Sequence, residues 1–179
     1  MQQITFETIQ TAIDNVCSIT DEQDLDRLSQ DLFDAQPGLA GFVIDFIEDM
    51  SEGAKDLGFM MALVLWKSFQ QQFPDMRALG EDEVVNLFES QERELEKLLQ
   101  VDDDMIDAMQ ETEAKIGQPE IFSYVTQELF SEEEDDIKIS EDEEIHLFMV
   151  LRFFSTVLND LAKETTEGSG TNSGSGLKH

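Results

Sequence analysis

A chain of 179 residues with 41 acids, 11 bases and a net charge of −30 presents a surface that repels nucleic acid and anionic lipid, so direct binding to either is not expected. Hydrophobic residues still reach 40 %, with thirteen Phe, which excludes a disordered chain, where high charge goes with few aromatics. The single Cys17 excludes an internal disulfide framework, and the lack of alternating β-branched runs and of Asn-Gly or Asp-Gly turns leaves an all-α domain.

Met1-Gln2-Gln3-Ile4-Thr5 has neither the basic region nor the apolar stretch of a signal peptide, so the expected compartment is the cytoplasm. A first helix is predicted over about 4–17. Its apolar stripe takes in Phe6, Ile9, Ile13, Val16 and Cys17, which makes the thiol a buried, inert one. The second helix follows a Thr20-x-x-Gln23 capping box and carries Leu25, Leu28 and Leu32 on one face. The third starts at Pro37, the residue type favoured at a first helical position. Its Leu39, Phe42, Val43, Phe46, Ile47 and Met50 keep the i, i+3, i+4, i+7 spacing. The fourth, about 53–73, holds an unbroken apolar run from Leu57 to Trp66, too short to span a membrane and right for a core helix. Pro74 stops it, and Trp66 is expected to be buried against the eighth helix.

The fifth helix, about 81–100, turns Val84, Leu87, Phe88, Leu95 and Leu98 inward. The sixth opens on Asp102, Asp103 and Asp104, acids that suit a helix start, and ends at Gly117. The seventh begins at Pro119 and shows Ile121, Phe122, Val125, Leu129 and Phe130. The eighth opens with a Ser140-x-x-Glu143 capping box and stays apolar on its inner side through Leu161. From Gly168 the Gly/Ser-rich residues read as a flexible tail.

A repeat underlies this order. Gln36-Pro37-Gly38-Leu39-Ala40-Gly41-Phe42-Val43 returns 82 positions later as Gln118-Pro119-Glu120-Ile121-Phe122-Ser123-Tyr124-Val125, and Leu63-Val64-Leu65 meets Met149-Val150-Leu151 at an offset of 86. The reading is an all-α protein of about eight helices in two pseudo-repeated four-helix units, 1–80 and 81–166, forming one compact bundle with a tail over 167–179. A short HEAT-like α-solenoid is the second choice. Helices four and eight, equivalent in the repeat and the most apolar, are expected to meet at the centre.

Catalytic and metal signatures fail on inspection. Glu143-Ile-x-His146 has the Glu-x-x-His spacing of di-metal bundles, but such sites need a second copy, and the other histidine is the terminal His179. Glu132 to Glu143 has the length of a calcium loop, with Glu132, Glu134, Asp136 and Glu143 at ligand positions. Ile137, however, stands where the sharp turn requires Gly. No base is available to activate a serine or Cys17, and no Gly-rich phosphate loop occurs. No catalytic residue, no metal site and no cofactor is expected.

Charge carries the functional expectation. Residues 1–80 hold fourteen acids and four bases, whereas 81–166 hold twenty-six and six. The second half therefore offers an acidic surface to a basic protein partner, through Asp102, Asp103, Asp104, Glu132, Glu133, Glu134, Asp135, Asp136, Glu141 and Asp142. A non-enzymatic interaction module follows, in its specific form an inhibitor or immunity-type protein that imitates the phosphate spacing of nucleic acid. Two alternatives stand beside it: a small-molecule or metal pocket between helices four and eight, where Arg152 is the one polar residue and is expected to pair with a carboxylate, and an acidity that serves only solubility or salt adaptation.

Overall fold

A computed structural model describes residues 2–98, 105–130 and 139–169. These residues form eight helices: α1 (Phe6–Cys17), α2 (Glu22–Ala35), α3 (Pro37–Ile47), α4 (Glu52–Gln72), α5 (Glu81–Leu98), α6 (Met105–Ile116), α7 (Pro119–Phe130) and α8 (Glu141–Ser169). Among the described residues there is no strand, and the helices pack around a continuous apolar core.

Capping chemistry sets the helix starts. Thr5 Oγ1 accepts the Thr8 N–H of α1, Ser51 Oγ accepts the Ala54 N–H of α4, and Pro37 opens α3. The second helix departs from the sequence reading: its cap is Asp21, whose Oδ1 accepts the Gln23 N–H at 2.9 Å, and not Thr20. At the other end of the chain, α8 runs three residues into the stretch read as tail.

Helices α4 and α8 meet at the centre, as expected. Leu147 of α8 packs so closely on Gly58 of α4 that a Cβ there would stand 2.6 Å from Leu147 Cδ2. Beyond this contact, toward the N-terminal ends, the two helix starts touch: the Ser51 N–H donates to Glu143 Oε1 at 2.8 Å. Past the far end of α4, Arg77 Nε donates to Glu164 of α8 at 2.9 Å. Contacts at both ends thus fix the two helices side by side and running in the same direction. By length and composition α8 is apolar enough to cross a membrane, but 83 % of that window is buried in the bundle.

The remaining helices wrap this pair. Helix α1 packs on α4, α7 on α8, and α3 lies between α5 and the central pair. Phe42 of α3 joins α5 to α8, its ring centroid 4.9 Å from Phe88 and 5.1 Å from Phe153. Lys67 of α4 holds Asp31 of α2 at 2.7 Å. That contact lowers the Asp31 carboxyl below its ordinary value. Trp66 is 3 % exposed, so the expected burial is observed; the polar edge of its ring is directed to α2 and not to the α8 partner expected for it. Its indole N–H is turned to Asp31 of α2, near enough to help lower that pKa but outside hydrogen-bond geometry.

Two buried glutamines close the bundle. Gln36 donates from Nε2 to the Arg77 carbonyl at 2.8 Å and accepts the Leu79 N–H at 3.2 Å. Gln118 accepts the Ile4 N–H at 2.8 Å and donates to Asn159 Oδ1 at 3.1 Å. Each binds the extended segment that leads into a distant helix, α5 for Gln36 and α1 for Gln118, and Ile4 and Leu79 are both buried there.

Three expected core positions are outside. Phe6 is 65 % exposed and Cys17 is exposed, because Ile9, Ala12 and Val16 set the inward face of α1 and turn those two residues away. Leu87 is exposed too, while Val84 and Phe88 of α5 face the core; the side chains of Leu95 and Leu98, also expected inward, lie outside the described residues.

Replacing Gln36 by Leu leaves the Arg77 carbonyl and the Leu79 N–H without their partner, and Gln118→Leu does the same to the Ile4 N–H and Asn159. Each substitution is expected to cost roughly 2–4 kcal/mol, measured by chemical unfolding, since orphaned buried groups lose the full desolvation term.

Candidate functional site

The α4 and α8 starts form a shared cap. Ser140 Oγ accepts the Glu143 N–H at 3.3 Å, while Glu143 Oε2 accepts the Ser140 N–H at 3.0 Å and its hydroxyl at 2.9 Å. This is the capping box read from the sequence, with an addition the sequence could not supply. Glu143 Oε1 takes the Ser51 N–H, 92 residues away. One carboxylate therefore serves two helix starts. The backbone N–H groups of Ser140 and then Ser51 pull its pKa down to about 2.

Parallel helices bring their positive dipole ends together, which favours acids at that pole. Glu52 lies in the first turn of α4; Glu141, Asp142, Glu143 and Glu144 fill the first turn of α8. The turn before α4 adds Glu48 and Asp49, both exposed. The density of charge is felt locally. Burial pushes the Glu144 carboxyl up, and the neighbouring Glu141 charge adds to it. Lys55 sits among these acids and is held by Glu52 at 3.3 Å.

Of the residues expected to bind a partner, Glu141 and Asp142 lie exposed on this pole. Asp102, Asp103, Asp104, Glu132, Glu133, Glu134, Asp135 and Asp136 lie outside the described residues. So does the rest of the calcium-like loop up to Lys138; its last ligand position, Glu143, is committed to the two helix caps. His146 turns its Nδ1 to the Asp142 carbonyl at 2.7 Å, a bond along its own helix. Among the described residues, no group of three or more His, Cys, Asp and Glu side chains converges as a metal site would require.

Beside the pole, α3 and α4 leave a groove of about 340 Å³. Ile44, Ile47 and Phe59 give it an apolar lining, and Asp45, Glu48, Asp56 and Lys55 surround them. Sequence reasoning passed over Ile44. The signal was present, since Ile44 is a large aliphatic residue that falls off the inward stripe of Leu39, Phe42, Val43, Phe46 and Ile47.

A second cavity, of about 450 Å³, opens between α5 and α6, with Glu94, Glu111, Ala114 and Lys115 in its wall. Arg152 of α8 lies behind it, 4 % exposed, and its carboxylate partner, as expected of it, is Glu94, though at the outer limit of an ion pair. Its Nη2 stands 4.0 Å from Glu94 Oε2, and its Nε and Nη1 have no hydrogen-bond partner. Burial lowers the Arg152 pKa, and the charges of Glu94 and Glu111 raise it again. Lys115 holds Glu94 at 2.9 Å. Bases and acids balance here, so this cavity lacks the one-sided field of the pole.

Comparison with known proteins finds no family model, no curated protein and no solved structure that matches this chain.

The Glu143 cap has a pH signature. Its folded pKa of about 2 lies below the ordinary 4.5, so its stabilising contribution is complete above about pH 4.5 and is lost as pH falls toward 2. Wild type and Glu143→Gln should differ in melting temperature at pH 6, and the difference should shrink as the pH is lowered through that window.

Proposed function

We propose that the chain is a non-enzymatic, cytoplasmic protein-interaction module whose acidic pole docks a basic protein surface. The observation that carries this reading is the Glu143–Ser51 bond, which sets the acidic first turn of α8 beside that of α4 and the exposed Glu48 and Asp49. A field built from several carboxylates gathered at one pole steers an oppositely charged partner more strongly than the same charges scattered over the surface. Sequence continuity supports it further. The acids from Glu132 to Asp136 end four residues before Ser140, and the excess charge belongs to the half that contains α8.

We also read the bundle as a duplicated four-helix unit. Gln36 and Gln118 each precede a helix opened by Pro, and each binds the amide two residues ahead of the first helix of the opposite half, Leu79 before Glu81 and Ile4 before Phe6. Equivalent residues doing equivalent work support a common origin. In that scheme the central parallel pair, α4 and α8, are the matching helices of the two units.

The competing reading is an acidity that serves solubility or salt adaptation. It differs in one measurable respect: it makes the position of the charges irrelevant. A variant with Glu48, Asp49, Glu141 and Asp142 changed to their amides can be compared with one in which Glu7, Asp26, Asp34 and Glu89, exposed residues elsewhere, are changed likewise. With a ten-residue lysine peptide as probe, association with the pole variant should slow roughly tenfold at low salt, and the gap should close as salt is added. Equal slowing in the two variants would leave only net charge at work.

A further inference from the structure

We infer that the α3–α4 groove takes an apolar anchor from a basic amphipathic helix, which makes such a helix the docking element of the partner. The inference rests on the docking reading above and deepens it.

Three features of the groove lead there. Its lining is apolar: Ile47 is buried, Phe59 is half-buried, and Ile44, three residues before Ile47 at the outer edge of the groove, is 39 % exposed. An aliphatic residue held in water on an otherwise acidic surface gains by being covered. Its volume of about 340 Å³ suits one or two large side chains. Its rim is acidic on balance: Asp45, Glu48 and Asp56 outnumber Lys55, whose charge is met by Glu52 at 3.3 Å. Apolar groups inside acidic ones match a helix that carries Leu- or Phe-like residues on one stripe and Lys or Arg on the flanks, the arrangement in which an amphipathic helix lies in a groove with anchors at i, i+3 or i+4.

The groove also sits where the pole would deliver such a helix. Glu48 belongs to both, and Asp56 lies one turn beyond Ser51, the residue fastened to Glu143. Charge brings the partner in and the anchor holds it. Long-range attraction acts on association, whereas a buried contact acts on dissociation.

Two fluorescent peptides of equal charge separate the contributions: a fourteen-residue Leu/Lys peptide with helical spacing of its leucines, and the same peptide with every Leu replaced by Ser. Binding to the full chain is followed by anisotropy and stopped flow. The Leu/Lys peptide should bind about tenfold tighter than the Ser/Lys peptide, and Ile44→Ser should remove that advantage by speeding dissociation, with association unchanged. Ile44 is surface-placed, so the variant should keep its melting temperature. As a second readout, the methyl resonances of Ile44 and Ile47 in the wild type should shift with the Leu/Lys peptide and stay put with the Ser/Lys peptide. Equal affinity for the two peptides, or an Ile44→Ser variant that binds like wild type, overturns the groove and leaves the docking pole standing. Failure of both peptides to bind overturns both.

Discussion

Two parallel helices packed side by side add their dipoles at each end, and α4 and α8 lie in that arrangement with Leu147 seated on Gly58. An antiparallel pair would cancel its end charges; this pair concentrates them. Negative charge is needed where α4 and α8 begin, and Glu143 supplies it at the point where the two starts touch. Positive charge is favoured where α4 ends, and Arg77 stands just beyond that end, bridging Glu83 and Glu164. The acidic pole is thus part of how the central pair is held before it is anything else.

Parallel neighbours cannot be joined by a short turn, so the chain between α4 and α8 must leave and return. Gln36 and Gln118 solve the resulting problem of loose ends. Backbone in the lead-in segments to α1 and α5 is buried without helical partners, and each glutamine satisfies it with a side-chain amide. An amide does this well because it offers a donor and an acceptor together, and Gln36 spends both on one extended stretch, at Arg77 and Leu79. The lead-in to α1 is tied to α8 by the Gln118 bonds to Ile4 and Asn159.

Local chemistry was legible in the sequence and distant chemistry was not. Pro37, Pro119 and the Ser140–Glu143 box marked helix starts because each acts within four residues. The Gln-Pro repeat drew the eye to Gln36 and Gln118, yet their work depends on partners 41 to 114 residues away. Phe6 and Cys17 were misplaced for a simpler reason. Counting large apolar residues places Ile9 and Val16 correctly but stretches the face of α1 to Phe6 and Cys17, whereas Ala12, fully buried and too small to weigh in such a count, marks its true centre against α4. Thr20 and Asp21 are adjacent capping types, and only the observed bond to Gln23 separates them. At the candidate site, Glu141 and Asp142 were found by charge alone, Ile44 and its groove were not, and nothing in the order of residues announced that Ser51 would meet Glu143.

That meeting is the point on which fold and proposed function both turn, because it registers α4 against α8 and assembles the pole. The Ser51 amide precedes α4 and has no helical partner of its own, so its hydrogen exchange reports the bond directly. Measured residue by residue, exchange at Ser51 should be slowed well below its intrinsic rate in the wild type and should return toward that rate in Glu143→Ala, while Ala62 and Leu63 in the middle of α4 keep their protection. A Ser51 amide that exchanges freely in the wild type, or one whose protection survives Glu143→Ala, would contradict the account.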